Sequence, residues 1–274
     1  MLFYKASLML ENILRPNWLE QKPQFAFIIG LVYAVIGIIA AVIVFPRSSG
    51  IASIAFISML LIPSLNKILL IEEIQDEKSR IFSIKKIFHD HADVLEIYFM
   101  LFLGIFLAYA LCSIKIPDLL VSGIFDSQLR IIGITGSASA GSGITFLGVL
   151  LNNFKVMFIF LALSLVFGAG SIIFLAWNAS VWGAIFGYMA TLNSNAFDAL
   201  TGILVKVMPH MLVEAGGYFF AIVAGGIMSQ AILREKAGSG KFNYVLKDGL
   251  VFVTVSIILL IIGAMMEVYL YPLL

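Results

Sequence analysis

Charge is what this chain has least of. Its 274 residues carry 17 Lys and Arg and 16 Asp and Glu, 12% charged against 61% hydrophobic. A soluble domain is nearer a quarter charged and half apolar. The composition therefore excludes a self-contained water-soluble globule, and a mean hydropathy of +1.06 calls for lipid. A formal net charge of +1 supplies no bulk field to hold nucleic acid. A single cysteine, Cys112, excludes an internal disulfide. It lies within an apolar run and reads as a small packing residue. Three histidines without the H-E-x-x-H spacing leave no zinc-protease set. No internal repeat is visible, so an inverted-repeat transporter lacks direct support.

What is present is a series of long apolar runs. The first, from Phe25 to Phe45, is long enough to span a bilayer and longer than the apolar region of a cleaved leader. Seven spans are expected, near 25–45, 51–71, 94–114, 154–176, 179–193, 209–233 and 249–271. Pro63, Asn66 and Lys67 predict a kink or early end in the second. Residues 196–208 read as a half-helix or re-entrant piece. Before the first span, Phe3, Ala6, Leu10 and Ile13 recur at helical spacing and predict an interfacial amphipathic helix over 1–16. Residues 72–93 read as an inner amphipathic linker, and the Gly136–Gly143 run as an exposed loop. The expected fold is thus an all-α polytopic transmembrane bundle of about seven spans, one integral membrane domain over 1–274.

Basic residues set the expected orientation. With the N-terminus inside, Lys5, Arg15, Lys22, Lys67, Lys78, Arg80, Lys85, Lys86, Arg234, Lys236, Lys241 and Lys247 fall inside. Arg47, Lys115, Arg130, Lys155 and Lys206 fall outside, twelve against five of the 17. The odd span count then places the C-terminus outside a multi-pass cell-membrane protein.

The motif with most chemical content is Pro209-His210-Met211-Leu212-Val213-Glu214. His210 and Glu214 are four apart and share a helical face. A carboxylate within a span costs roughly 2.5–3.5 kcal/mol on insertion scales, so an intramembrane Glu is a functional candidate by default. The bland alternative is an interhelical hydrogen-bonded pair that fixes one helix against its neighbours. Glu267 and Lys206 fall near the same outer level, and one polar cluster of His210, Glu214, Glu267 and Lys206 is expected, against the alternative that each snorkels alone. Below it runs Gly217, Ala221, Gly225 and Ser229, small residues that admit a close neighbour. Gly183 and Gly187, and Gly168 and Gly170, suggest further tight packing within the chain. Asn152, Asn153 and Asn178 are expected as helix N-caps. Trp177 and Trp182 suit an interfacial belt. His89-Asp90-His91 invites a metal reading, but the spacing is weak without further ligands. No metal or other cofactor is expected.

These residues resemble a known family. Asn152-Asn153-x-Lys155, an apolar span containing Phe167-Gly168-x-Gly170, Asn178, the Gly183–Gly187 pair and Pro209-His210-x-x-x-Glu214 are similar, in that order, to the stage II sporulation protein M family. Met211 stands where the family pattern has glycine. The resemblance is closest over 150–235. It implies a polytopic membrane protein, not known as an enzyme, which in spore formers acts as an anchor or scaffold in a membrane complex with peptidoglycan-degrading enzymes.

The leading expectation is a non-enzymatic component that anchors or organises membrane or envelope partners within the bilayer. The pair His210 and Glu214 would mark the outer contact, with no nucleic acid involved; a homo-oligomer is also open. The alternative is a transporter or channel-like protein with Glu214 as an ion- or proton-linked site. A third, an intramembrane hydrolase, needs a further ligand or nucleophile beside the pair.

Overall fold

The computed structural model of the chain describes residues 22–76, 88–89, 91–131, 145–168 and 172–270. Those residues are helical almost throughout. In chain order the helices are α1 (Phe25–Val44), α2 (Ser49–Asp76), α3 (Ala92–Lys115), the short α4 (Asp118–Ile124), α5 (Phe146–Phe167), α6 (Ile172–Thr191), α7 (Ala196–Arg234) and α8 (Gly240–Met265). A π-helical turn, Met266–Leu270, ends α8. Six of them, all but α2 and α4, are long and apolar enough to cross a membrane; α2 has only a shorter apolar stretch, Ser49–Pro63. At 1.5 Å per residue, a helix of α1's length rises ~30 Å, the thickness of a hydrocarbon core. The protein is an all-α, multi-pass membrane protein. The expected 1–16 helix, the Gly136–Gly143 loop and most of the 72–93 linker lie outside the described residues.

Contacts between helices give their relative directions. Gly30 of α1 meets Leu101 of α3, and Val35, Ile38, Val42 and Ile43 share a cavity wall with Cys112 and Ile116. Residue numbers rise together, so α1 and α3 run parallel. Gly183 and Gly187 of α6 sit on Phe106 and Ala110 of α3, again in parallel. Helix α2 runs against them, with Ile57 on Gly37 and Ser49 beside Ile124 at the far end. Asn153 and Ser164 of α5 reach Glu214 and Ile222 of α7, a parallel pair. Helix α8 opposes α7, since Gly263 meets Glu214 and Gly249 meets Met228. Successive long helices therefore alternate in direction, as a chain that threads back and forth must.

At several glycines the helix backbones approach closely. A methyl group on Gly104 would stand 2.2 Å from the Phe27 carbonyl oxygen, and one on Gly183 2.4 Å from that of Phe106. In lipid, where apolar helices gain little from leaving the solvent, such van der Waals contact is a main source of helix association. Helix α7 is the centre of the bundle: residues 221–229 are all buried.

Several expectations are corrected. The fourth and fifth spans do not divide at Asn178. Helix α5 stops at Gly168, whose φ of 54° and ψ of −119° no side-chain-bearing residue adopts comfortably. Gly168 is thus a helix stop, where packing against another helix was expected; Gly170 lies outside the described residues. Asn178 lies within α6, where its Nδ2 donates to the Phe174 carbonyl at 2.8 Å. Asn152 and Asn153 lie inside α5, whose true cap is Thr145, accepting from the Gly148 N–H. The 196–208 stretch is no half-helix; it is the first third of the 39-residue α7, which continues through Pro209. Helix α2 likewise continues through Pro63 rather than ending early. Trp182 packs edge-on against Phe102 inside the bundle, not in a belt. The segment after α3, for which no burial was expected, carries three wholly buried residues, Val121, Phe125 and Gln128.

Candidate functional site

The candidate site forms where α5, α7 and α8 meet. Glu214 is 7% exposed. Its Oε1 accepts a 2.8 Å hydrogen bond from Asn153 Nδ2 of α5. The Oδ1 of the same amide accepts from the Tyr218 hydroxyl at 3.1 Å. Tyr218 is one turn beyond Glu214, so both bonds come from one face of α7. The Asn153 amide is held at both ends, which fixes its orientation: the nitrogen toward the carboxyl, the oxygen toward the phenol.

From the other side comes α8. A methyl group on Gly263 would stand 2.5 Å from Glu214 Cγ, so the carboxylate arm lies directly on the bare backbone of that glycine. One turn later is Glu267, in the π-turn, half-buried and near enough for its carboxyl to interact electrostatically with that of Glu214. Single π-turns are rare and recur at functional sites; here the turn brings the Glu267 side chain back toward the bundle. The result is one chain of polar groups, Tyr218–Asn153–Glu214–Glu267, tying three helices together.

Of the sequence candidates, Glu214 and Glu267 come together. Lys206 does not join them: it is exposed, and eight residues from Glu214 it is ~12 Å away along the helix axis. His210 is half-buried one turn before Glu214, and Pro209 is exposed. Pro209 has no N–H, so it cannot make the α7 hydrogen bond to the Val205 carbonyl. The residues that sequence reasoning missed are Asn153 as a partner, Tyr218 and Gly263. Two signals were available. Tyr218 extends the four-residue series His210, Glu214, Tyr218, and Gly263 precedes Glu267 by the same interval.

Toward the opposite end of α7 the packing closes tightly. A methyl group on Gly217 would stand 2.8 Å from Leu260 Cδ2, and one on Gly225 2.5 Å from Ser164 Cβ. The small stripe therefore serves two neighbours: Gly217 receives α8 and Gly225 receives α5. Ala221 and Ser229 are buried between them. Ser164 Oγ donates to the Ile222 carbonyl and Ser256 Oγ to the Gly217 carbonyl, each at 2.6 Å. The two cavities of note, about 410 and 310 Å³, lie elsewhere, against α2, α5 and α6 and between α1 and α3.

Of the two histidines before α3, His89 is exposed and His91 takes a packing position. His91 is wholly buried, its ring edge-on to Phe252 at 5.1 Å. Among the described residues no group of three or more His, Cys, Asp or Glu side chains could hold a metal ion.

Comparison with known proteins agrees in extent with the helices. The family described as Stage II sporulation protein M matches residues 26–272. An uncharacterized protein of Methanocaldococcus jannaschii is 32% identical over 130 residues, 46% of this chain and 71% of that protein. No solved structure matches. With nearly all of its length matched, from the first helix to the π-turn that carries Glu267, the chain belongs to the stage II sporulation protein M family.

Proposed function

We propose that the protein is a non-enzymatic integral membrane component that anchors or organises a membrane protein complex, with the Tyr218–Asn153–Glu214–Glu267 chain as the lock that holds its presenting surface in one shape. The observation that carries this reading is the commitment of Glu214. Its carboxyl is bonded by Asn153, met by Glu267 and laid on Gly263. The helix face beyond it is closed by Gly217, Ala221 and Gly225 against their neighbours. A group fastened on three sides above tight packing suits a fixed role better than a conducting one. The positive-inside bias and the alternating helix directions support seven spans, with the N-terminus inside and the lock toward the outer side. Cross-linking in native membranes followed by mass spectrometry tests the proposal. Reproducible membrane or envelope partners are expected with wild type and should be lost with Glu214→Ala. No reproducible partner with wild type would sink it.

One observation favours a second reading, a proton- or cation-linked transporter: two carboxyl groups meet within the bundle. Flux in liposomes containing the purified protein, abolished by Glu214→Gln, would establish that reading in place of the first.

A further inference from the structure

The segment that follows α3 turns back into the bundle. Helix α4 and the helical residues 126–131 carry Val121, Phe125 and Gln128 at helical spacing, and all three are 0% exposed. Their neighbours give the depth. The Phe125 ring packs on Tyr109 at 5.2 Å, and Tyr109 is six residues, ~9 Å, before the end of α3. Gln128 Nε2 donates to the Gly50 carbonyl at 3.0 Å and reaches Ser180 Oγ at 3.4 Å. Ser180 is eleven residues, ~16 Å, before the end of the parallel helix α6. Ser49 and Gly50 open α2, so the segment packs across the end of α2 while its buried side chains reach deeper residues of α3 and α6.

Backbone buried against these helices must satisfy its own polar groups. The Val121 and Phe125 N–H groups bond Pro117 and Val121 carbonyls, and those of Gln128 and Leu129 bond the Phe125 carbonyl. The Ile124 carbonyl, at the break between the two helical pieces, accepts from Ser49 Oγ at 2.9 Å. Beneath lies a set of uncharged hydroxyls from α2, α3 and α6: Ser53 and Tyr109 bonded at 2.6 Å, and Ser180. Buried Gln128 Oε1 has no hydrogen-bond partner among the described residues. The Gln128 seat is thus held by the amide nitrogen alone, and an unmatched buried acceptor makes it shallower than a fully satisfied one.

We propose that residues 118–131 form a plug over the helix ends, anchored by Gln128 and by the Ser49–Ile124 bond, that shields the buried hydroxyls of Ser53, Tyr109 and Ser180 from water. The plug is independent of the Glu214 lock. The native Cys112 is its reporter, because it lines the 310 Å³ cavity beside Ile116 and the plug residue Ile124.

Two measurements on the full chain in liposomes test it. Hydrogen exchange of 118–131 is expected to be roughly a hundredfold or more slower than that of an unstructured peptide of the same sequence. Labelling of Cys112 by a membrane-impermeant maleimide is expected to rise about tenfold in Gln128→Leu, the scale of a lost buried hydrogen bond. Ser49→Ala should raise it in the same direction, and serves alone if Gln128→Leu does not fold. Arg130→Ala breaks only the exposed pair with Asp126 and should leave labelling unchanged. Exchange of wild-type 118–131 at the peptide rate would overturn the plug, as would unchanged labelling in the folded anchor variants.

Discussion

The contact between Gly263 and Glu214 gives the sharpest test of the lock. In Gly263→Ala the new methyl meets Glu214 Cγ at 2.5 Å, well inside van der Waals contact. The carboxylate arm must swing away. Overpacking of this kind costs about 1–3 kcal/mol. The swing also breaks the 2.8 Å bond from Asn153, which adds about 1–3 kcal/mol for a buried acceptor left unmatched. Alanine in place of a helical glycine returns at most about 1 kcal/mol. The net loss is about 2–4 kcal/mol. In a Glu214→Ala background the arm is absent beyond Cβ, the clash vanishes and only the helical gain remains. Gly263→Ala should then be neutral or slightly stabilising. Thermal unfolding in detergent, followed by helical circular dichroism across all four members of the cycle, measures the coupling, expected at about 3 kcal/mol. Equal effects of Gly263→Ala in both backgrounds would refute the close contact and the lock built on it.

Other consequences are simpler. Asn153→Ala removes the amide that serves both Glu214 and Tyr218 and should lower stability by about 2–3 kcal/mol, whereas Asn152→Ala, on the exposed neighbour, should change it by less than about 0.5 kcal/mol in parallel melts. Tyr218→Phe loses one neutral bond and should cost about 1 kcal/mol by the same assay. Gly168→Ala forces a side chain into φ 54° and should cost about 1–2 kcal/mol, while Gly202→Ala, where the new methyl meets nothing, should be neutral or stabilising. Gly187→Leu drives a side chain into the Ala110 carbonyl and should prevent α3 and α6 from closing, seen as protease sensitivity in membranes.

The helices were legible because lipid demands long apolar runs, and such runs have no competing reading. Their ends were less so. The sequence around Asn178 interrupts the apolar run and looks like a boundary, yet the backbone breaks ten residues earlier, where Gly168 supplies a conformation that asparagine does not need. Asn153 looks like a cap because asparagine competes for backbone bonds near helix starts. Its actual partner is 61 residues away, and no local pattern encodes that pairing. The meeting of Glu214 with Glu267 was anticipated from their shared level, but the inclusion of Lys206 was not sustained: level in the membrane does not fix the face of the helix. The fold-back of 118–131 was hidden because, among the residues whose burial is described, its buried face has three, too few for a periodic signal.

The central claim is that Glu214 acts through its hydrogen bonds and not through its charge. Glutamine at this position can still accept from Asn153 and can donate to Glu267, so it keeps the lock without a titratable group. The decisive measurement is the set of proteins cross-linked to Glu214→Gln in native membranes, compared with wild type at equal expression. The account predicts the same partners in both. Loss of those partners from a Glu214→Gln protein that melts like wild type would contradict it.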